Sequence, residues 1–158
     1  DGSFTYKRGV SSSVNAGTGF FTWRIFTGSL PEGDDYVLRV RKIANKKILD
    51  YSDSTFRIVD SFAWIFPNGG ETLAKGQTYT ITWDVRAAGT NTVKLSLHQG
   101  SGRSFKRTIA NTVPNTGSFD WTVPTSLSDA SDYVVRIRNT EYISSLDYSD
   151  NFFTIAPL

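Results

Sequence analysis

Two stretches of this chain repeat one another. Asp35-Tyr36-Val37-Leu38-Arg39-Val40-Arg41 returns as Asp132-Tyr133-Val134-Val135-Arg136-Ile137-Arg138, and Asp50-Tyr51-Ser52-Asp53 returns as Asp147-Tyr148-Ser149-Asp150. Each second block is followed by Phe-x-Ile, at Phe56/Ile58 and Phe153/Ile155. All of these recur at one offset, 97 residues, with twelve identities in the twenty-four positions from Asp35 to Ile58. A period near 100 residues is too long for a solenoid repeat and fits one small domain. The 158 residues are therefore expected to hold two domains rather than one.

Phase and turn signals name the fold class. Tyr79, Ile81, Trp83 and Val85 alternate with Thr78, Thr80, Thr82 and Asp84, a period of two with a polar opposite face, as in a half-buried antiparallel strand. Phe62, Trp64 and Phe66 run into Pro67-Asn68-Gly69-Gly70, a strand closed by a turn. After a turn at Gly89, Val93, Leu95 and Leu97 alternate with Lys94, Ser96 and His98. Further strands are expected at Phe105 to Ile109, Phe119 to Val123, Tyr133 to Ile137, and Phe153 to Ile155. Seven short strands and no helical period predict an all-β, immunoglobulin-like two-sheet sandwich over residues 62–158. Trp83 and Trp121 are expected to fill the space between its sheets, and Asn68-Gly69-Gly70 to need positive φ.

Residues 1–61 match only the later half of that unit. Tyr6-Lys7-Arg8 aligns with Phe105-Lys106-Arg107, Phe21 and Trp23 with Phe119 and Trp121, and the Tyr36 and Phe56 strands follow. Counterparts of residues 63–98 are missing, so the first copy is expected to be an incomplete sandwich. Its inner face, with Phe21, Trp23, Tyr36, Leu38 and Val40, would then stand in water, losing roughly 1.5–3 kcal/mol of burial per large side chain. Open edges of this kind invite pairing, and the missing strands are expected from an upstream segment or, less economically, from a neighbouring molecule. With no methionine and a start inside a repeat unit, the chain reads as a piece of something longer. Val59-Asp60-Ser61 leads into Phe62 without a Gly/Ser/Pro linker, which predicts a stiff joint.

The run Pro67-Asn68-Gly69-Gly70-Glu71, Gly76 and Tyr79-Thr80-Ile81-Thr82-Trp83, with Val93-Lys94-Leu95 and Tyr148-Ser149-Asp150-Asn151-Phe152-Phe153-Thr154-Ile155, resembles the Ser/Thr-rich GPI-anchored fungal cell-wall family, which includes the yeast proteins of cell-wall β-glucan assembly. The resemblance covers residues 62–158 and implies an extracellular module that recurs in secreted proteins. It implies no catalytic or metal-binding residue.

Composition narrows the function classes. A net charge of +2 predicts neither nucleic acid nor a membrane surface as partner, and no apolar run approaches the ~20 residues of a membrane span. Cysteine is absent, which removes disulfides, thiol chemistry and cysteine-ligated metal. His98, the one histidine, is expected at the surface, and no Gly-x-Ser-x-Gly accompanies it. Asp50/Asp53 and Asp147/Asp150 each sit within one short turn, whereas glycosidase carboxylates flank a cleft about 5–10 Å wide. A calcium site wants six or more oxygens, which these with Asp34/Asp35 or Asp129/Asp132 supply only if loops converge; Asx-turn bonds explain them more simply. No cofactor is expected.

The candidate contact residues are Arg39, Arg41, Arg136 and Arg138, with Tyr51, Tyr142 and Tyr148. The arginines read either as edge protection or as a basic stripe for acidic polysaccharide or a neighbour's carboxylates. The aromatics Phe20, Phe26, Tyr51, Tyr142, Tyr148 and Phe152 fall off the core phase and suit sugar stacking or module contacts. The expected protein is a non-enzymatic, extracellular structural or adhesive repeat of a wall, matrix or filament. Its partners would be neighbouring modules and wall or matrix polysaccharide. The competing reading is a carbohydrate-binding accessory module of a secreted wall-active hydrolase.

Overall fold

A computed structural model of the chain describes residues 4–23, 25, 30–60, 62–86 and 92–158. The expected Gly89 turn and Phe26 lie outside the described residues. The protein is all-β, with 13 described strands and a three-residue 3-10 turn at Ala16–Thr18. It divides into two compact units, Asp1–Val59 and Asp60–Leu158.

The second unit is a sandwich. One sheet has the order β10 (Ser118–Thr122), β7 (Thr78–Val85), β5 (Phe62–Phe66). The other has the order β6 (Thr72–Ala74), β13 (Phe153–Ala156), β11 (Ala130–Asn139), β8 (Thr92–Gln99), β9 (Ser104–Pro114), with β12 (Leu146–Tyr148) also on β11. All pairings are antiparallel except β13 with β6. Inward residues of both sheets make one core, including Phe62, Leu73, Ile81, Trp83, Leu95, Trp121, Val135, Ile137, Phe153 and Ile155. Trp83 and Trp121 are both buried in it, and the Trp83 indole donates to Asn115 Oδ1 at 2.7 Å. Tyr133 Oη donates to the Ser128 carbonyl five residues back, at 2.9 Å, the tyrosine corner of immunoglobulin-like sandwiches.

The described residues of the unit form nine strands where phase alone predicted seven. β6 and β12 are three residues each, too short to show a period. β9 extends to eleven residues because register shifts along its pairing with β8 absorb the irregular phase. Val85, expected inside, ends β7 exposed. At the Asn68 turn Gly69 and Gly70 have φ of 129° and 86°. A Cβ on Gly69 would lie 2.2 Å from that of Asn151, so both conformation and space exclude a side chain there.

The first unit contains β1 (Gly33–Tyr36), β2 (Arg39–Arg41), β3 (Leu49–Tyr51) and β4 (Phe56–Ile58). These repeat the later strands of the second unit, register for register. β1 faces β4 through Gly33–Ile58 and Tyr36–Phe56, as β11 faces β13 through Ala130–Ile155 and Tyr133–Phe153, with a register shift between the pairs in both cases. Arg39–Tyr51 and Arg41–Leu49 match Arg136–Tyr148 and Arg138–Leu146. Tyr36 Oη donates to the Pro31 carbonyl at 2.7 Å, again five residues back. The Leu38 amide reaches Ser52 Oγ at 3.2 Å as the Val135 amide reaches Ser149 Oγ at 3.3 Å.

Two expectations for this unit are corrected. Residues 4–8 and 21–23 form no strand, because their counterparts β9 and β10 are held by β8 and β7 and no such partner strands occur among the described residues of the first unit. Tyr36 is buried rather than bare; its ring packs 6.0 Å from that of Phe56 and its hydroxyl is bonded. Phe21, Leu38 and Val40 do stand exposed.

Candidate functional site

The outward face of the β8–β11–β12 ladder gathers most of the chemistry in the second unit. Val135 and Ile137 point into the core, so alternation turns Arg136 and Arg138 outward. Tyr148 and Ser96 lie directly opposite Arg136, on β12 and β8, and Leu146 and Lys94 opposite Arg138. One row further, Val134 faces His98, which faces Phe105. The Arg136 guanidinium reaches Tyr148 Oη at 3.5 Å.

His98 is not at the surface: only 3% of it is accessible. Its ring meets Phe105 and Tyr148 edge-on, at 5.7 and 5.4 Å. Nδ1 lies 2.7 Å from the Arg103 carbonyl, an acceptor only, so Nδ1 carries the proton. Nε2 then accepts from Ser96 Oγ at 3.0 Å. Burial, followed by the positive fields of Arg136 and Arg103, holds its pKa below the ordinary histidine value, outweighing the Arg103 carbonyl bond, and the ring is neutral near pH 7. A Ser–His pair thus exists that the sequence did not reveal. Ser96 is fully buried, so no substrate reaches its hydroxyl, and the third partner is a backbone carbonyl rather than a carboxylate.

The loop Gly100–Arg103 turns on Gly100 at φ 77° and on Arg103 itself at φ 50°, a left-handed conformation unusual for a side-chain-bearing residue. His98 anchors that loop through the Arg103 carbonyl. The result is an Arg103 guanidinium 4.3 Å above the Tyr148 ring, a cation–π contact. Arg103 was invisible to sequence reasoning because phase says nothing about a turn residue. Tyr148, expected as a platform for a sugar ring, instead has its ring engaged by Arg103 and His98.

The other candidates are more dispersed. Arg39 and Arg41 are exposed on β2, opposite Tyr51 and Leu49, and Tyr51 packs on Phe4 at 5.0 Å. Tyr142 lies in the β11–β12 turn, its amide bonded to Asn139 Oδ1 at 3.0 Å. Phe20 and Phe152 are exposed. Asp50 and Asp147 each accept the following amide, from Tyr51 at 2.9 Å and Tyr148 at 2.8 Å. Asp150 exchanges two hydrogen bonds with Asn68, both 2.8 Å, tying the Gly69-Gly70 turn to the β12–β13 connection. Burial lifts the Asp147 carboxyl to about 6. Among the described residues no group of three or more His, Asp or Glu is placed to hold a metal, and no helix is long and apolar enough to cross a membrane.

Residues 66–155, which span the Asn68 turn, β7 and the β11–β13 ladder, match the Kre9/KNH-like N-terminal Ig-like domain. The chain belongs to that family. The Kre9/KNH family is the yeast cell-wall β-glucan assembly family, secreted and non-catalytic. The match lies wholly within the second unit, where it takes in the immunoglobulin-like sandwich from the end of β5 to β13. No curated protein matches the chain.

Proposed function

We propose that this chain is a non-enzymatic, extracellular structural or adhesive piece of a cell wall, matrix or filament. In this reading it is built of tandem immunoglobulin-like sandwiches. Residues 1–61 are the later half of one module and residues 62–158 the whole of the next. The mechanism is mechanical: modules in series, bonded to their neighbours through sheet edges and through faces left bare until assembly.

One observation carries the reading. Leu38 and Val40 occupy the repeat positions of Val135 and Ile137 and share their ladder register, yet Leu38 is 45% and Val40 62% exposed while Val135 and Ile137 are fully buried. What buries the latter pair is the cover from the opposed sheet of β5, β7 and β10. A face with the same backbone plan and no cover is stable in service only when strands of that pattern are laid over it. We infer that they come from outside residues 1–158.

Limited proteolysis of the 158-residue chain, with fragments weighed by mass spectrometry, tests this. Cleavage is expected first within residues 4–60, leaving a resistant core that starts near Phe62. Equal resistance of both halves would contradict the half-module reading.

A further inference from the structure

We propose that the outward face of β8, β11 and β12, centred on Arg136 and Arg138, binds a carboxylate-bearing polysaccharide. The proposal deepens the wall-module reading and rests on it only for the ligand's setting; the chemistry stands on the face itself. Arg136 and Arg138 are two residues apart on one strand and project the same way, about 7 Å from each other. Lys94 lies directly opposite Arg138, and Arg103 is held over Tyr148 beside Arg136. No carboxylate of the described residues lies within ion-pair distance of these four cations.

Such a face works against folding. Like charges directly opposite on a sheet are destabilising, and Lys94–Arg138 is such a pair. The Nε–H groups of Arg136 and Arg138 are buried with no acceptor, a further cost when a donor stays unpaired. Arg103 adopts a left-handed backbone to take its place. Strain, unpaired donors and uncompensated charge gathered on one face mark a site that sacrifices stability for a ligand. An oxyanion relieves the unpaired donors and the uncompensated charge together, because a guanidinium takes a carboxylate side-on through Nε–H and Nη–H. Because both Nε atoms are buried, this seating requires the arginine side chains to rotate and present Nε.

Two seats in line on a rigid strand suit a repeating polymer, whose second carboxylate binds as an intramolecular event. The wall family of this chain favours a sugar polymer over an acidic protein segment as the source.

Binding of polygalacturonate to the full 158-residue chain, followed by calorimetry at low and moderate salt, is the test. Carboxyl-reduced polygalacturonate serves as the neutral control and polyglutamate as the acidic-peptide control. The wild-type chain is expected to bind polygalacturonate at least tenfold tighter than either, with affinity falling as salt rises. Arg136→Gln/Arg138→Gln should lose tenfold or more, while Lys46→Gln/Lys47→Gln, the same change in charge on an exposed turn of the first unit, should stay within twofold. Lys94→Gln is expected to weaken binding severalfold and to raise, or leave unchanged, the melting temperature. Equal binding of the carboxyl-reduced polymer, or an unaffected double variant that retains its fold, would overturn the site. Polyglutamate binding as tightly would overturn the sugar and assign the face to a protein partner. None of these results depends on whether residues 1–61 are a half-module.

Discussion

Ile137 and Val40 stand at one position of the repeat, and truncating each to alanine should have very unequal consequences. Ile137 is fully buried between the sheets, so Ile137→Ala deletes three buried carbons, about 2.4 kcal/mol at ~0.8 per methylene. The cavity left in a close-packed core adds to this, bringing the total to about 3–4 kcal/mol. Val40→Ala removes two carbons from a side chain already 62% exposed, which is worth about 0.6 kcal/mol or less. Urea unfolding of the full chain measures the first through tryptophan fluorescence, because Trp64, Trp83 and Trp121 all lie in the second unit's core. With an m-value of about 1–1.5 kcal/mol/M, the Ile137→Ala midpoint should fall by about 2–4 M. Hydrogen exchange at the β2–β3 amides measures the second and should change little. If Val40→Ala loosened β2–β3 as strongly as Ile137→Ala loosens the core, the face would be covered within the chain. The inference of missing strands would then fail.

Two further outcomes follow from local geometry. Asp147 carries a raised pKa of about 6, mainly through burial, so the folded state holds its proton more tightly than the unfolded chain does. Stability from this group is complete below pH 4 and declines as pH rises through 6; Asp147→Asn should flatten that slope and stabilise the chain at pH 7 by about 1 kcal/mol after allowance for partial solvent screening, read from melting temperatures across pH 4–8. Gly69→Ala forces a Cβ into Asn151 at φ 129° and should lower stability by about 2 kcal/mol or more, a fall of about 8 °C or more in the melting temperature of a domain this size.

The parts of the fold readable in advance were those with long, regular phase. Tyr79 to Trp83 and Tyr133 to Ile137 alternate because one face of each strand meets the core, and the Asn68 turn declares itself through two adjacent glycines. β6 and β12 escaped because three residues carry no period; they exist only because β13 and β11 offer edges to them. The strand pattern of Tyr6-Lys7-Arg8 and Phe21/Trp23 is as strong as that of their counterparts, yet strand formation needs a partner, and none of the right pattern is present among the described residues of the first unit. His98 was misplaced for a related reason. Alternation put it on the outward face correctly, but burial there depends on Phe105, Tyr148 and the Arg103 loop arriving from three other segments. Of the contact candidates, Arg136, Arg138 and Tyr148 converge in space. Arg39 and Tyr51 pair within the first unit, and Tyr142 takes a turn position that identity of residue type alone could not locate.

Hydrogen exchange of residues 33–58 in the 158-residue chain, compared with the same residues in the assembly we propose, tests the half-module reading most directly. Amides of β1–β4 should exchange orders of magnitude faster than those of β11 and β13 in the chain alone, and approach their protection in the assembly. Equal protection of both sets in the chain alone would mean that the first unit is complete as it stands, and would contradict the account.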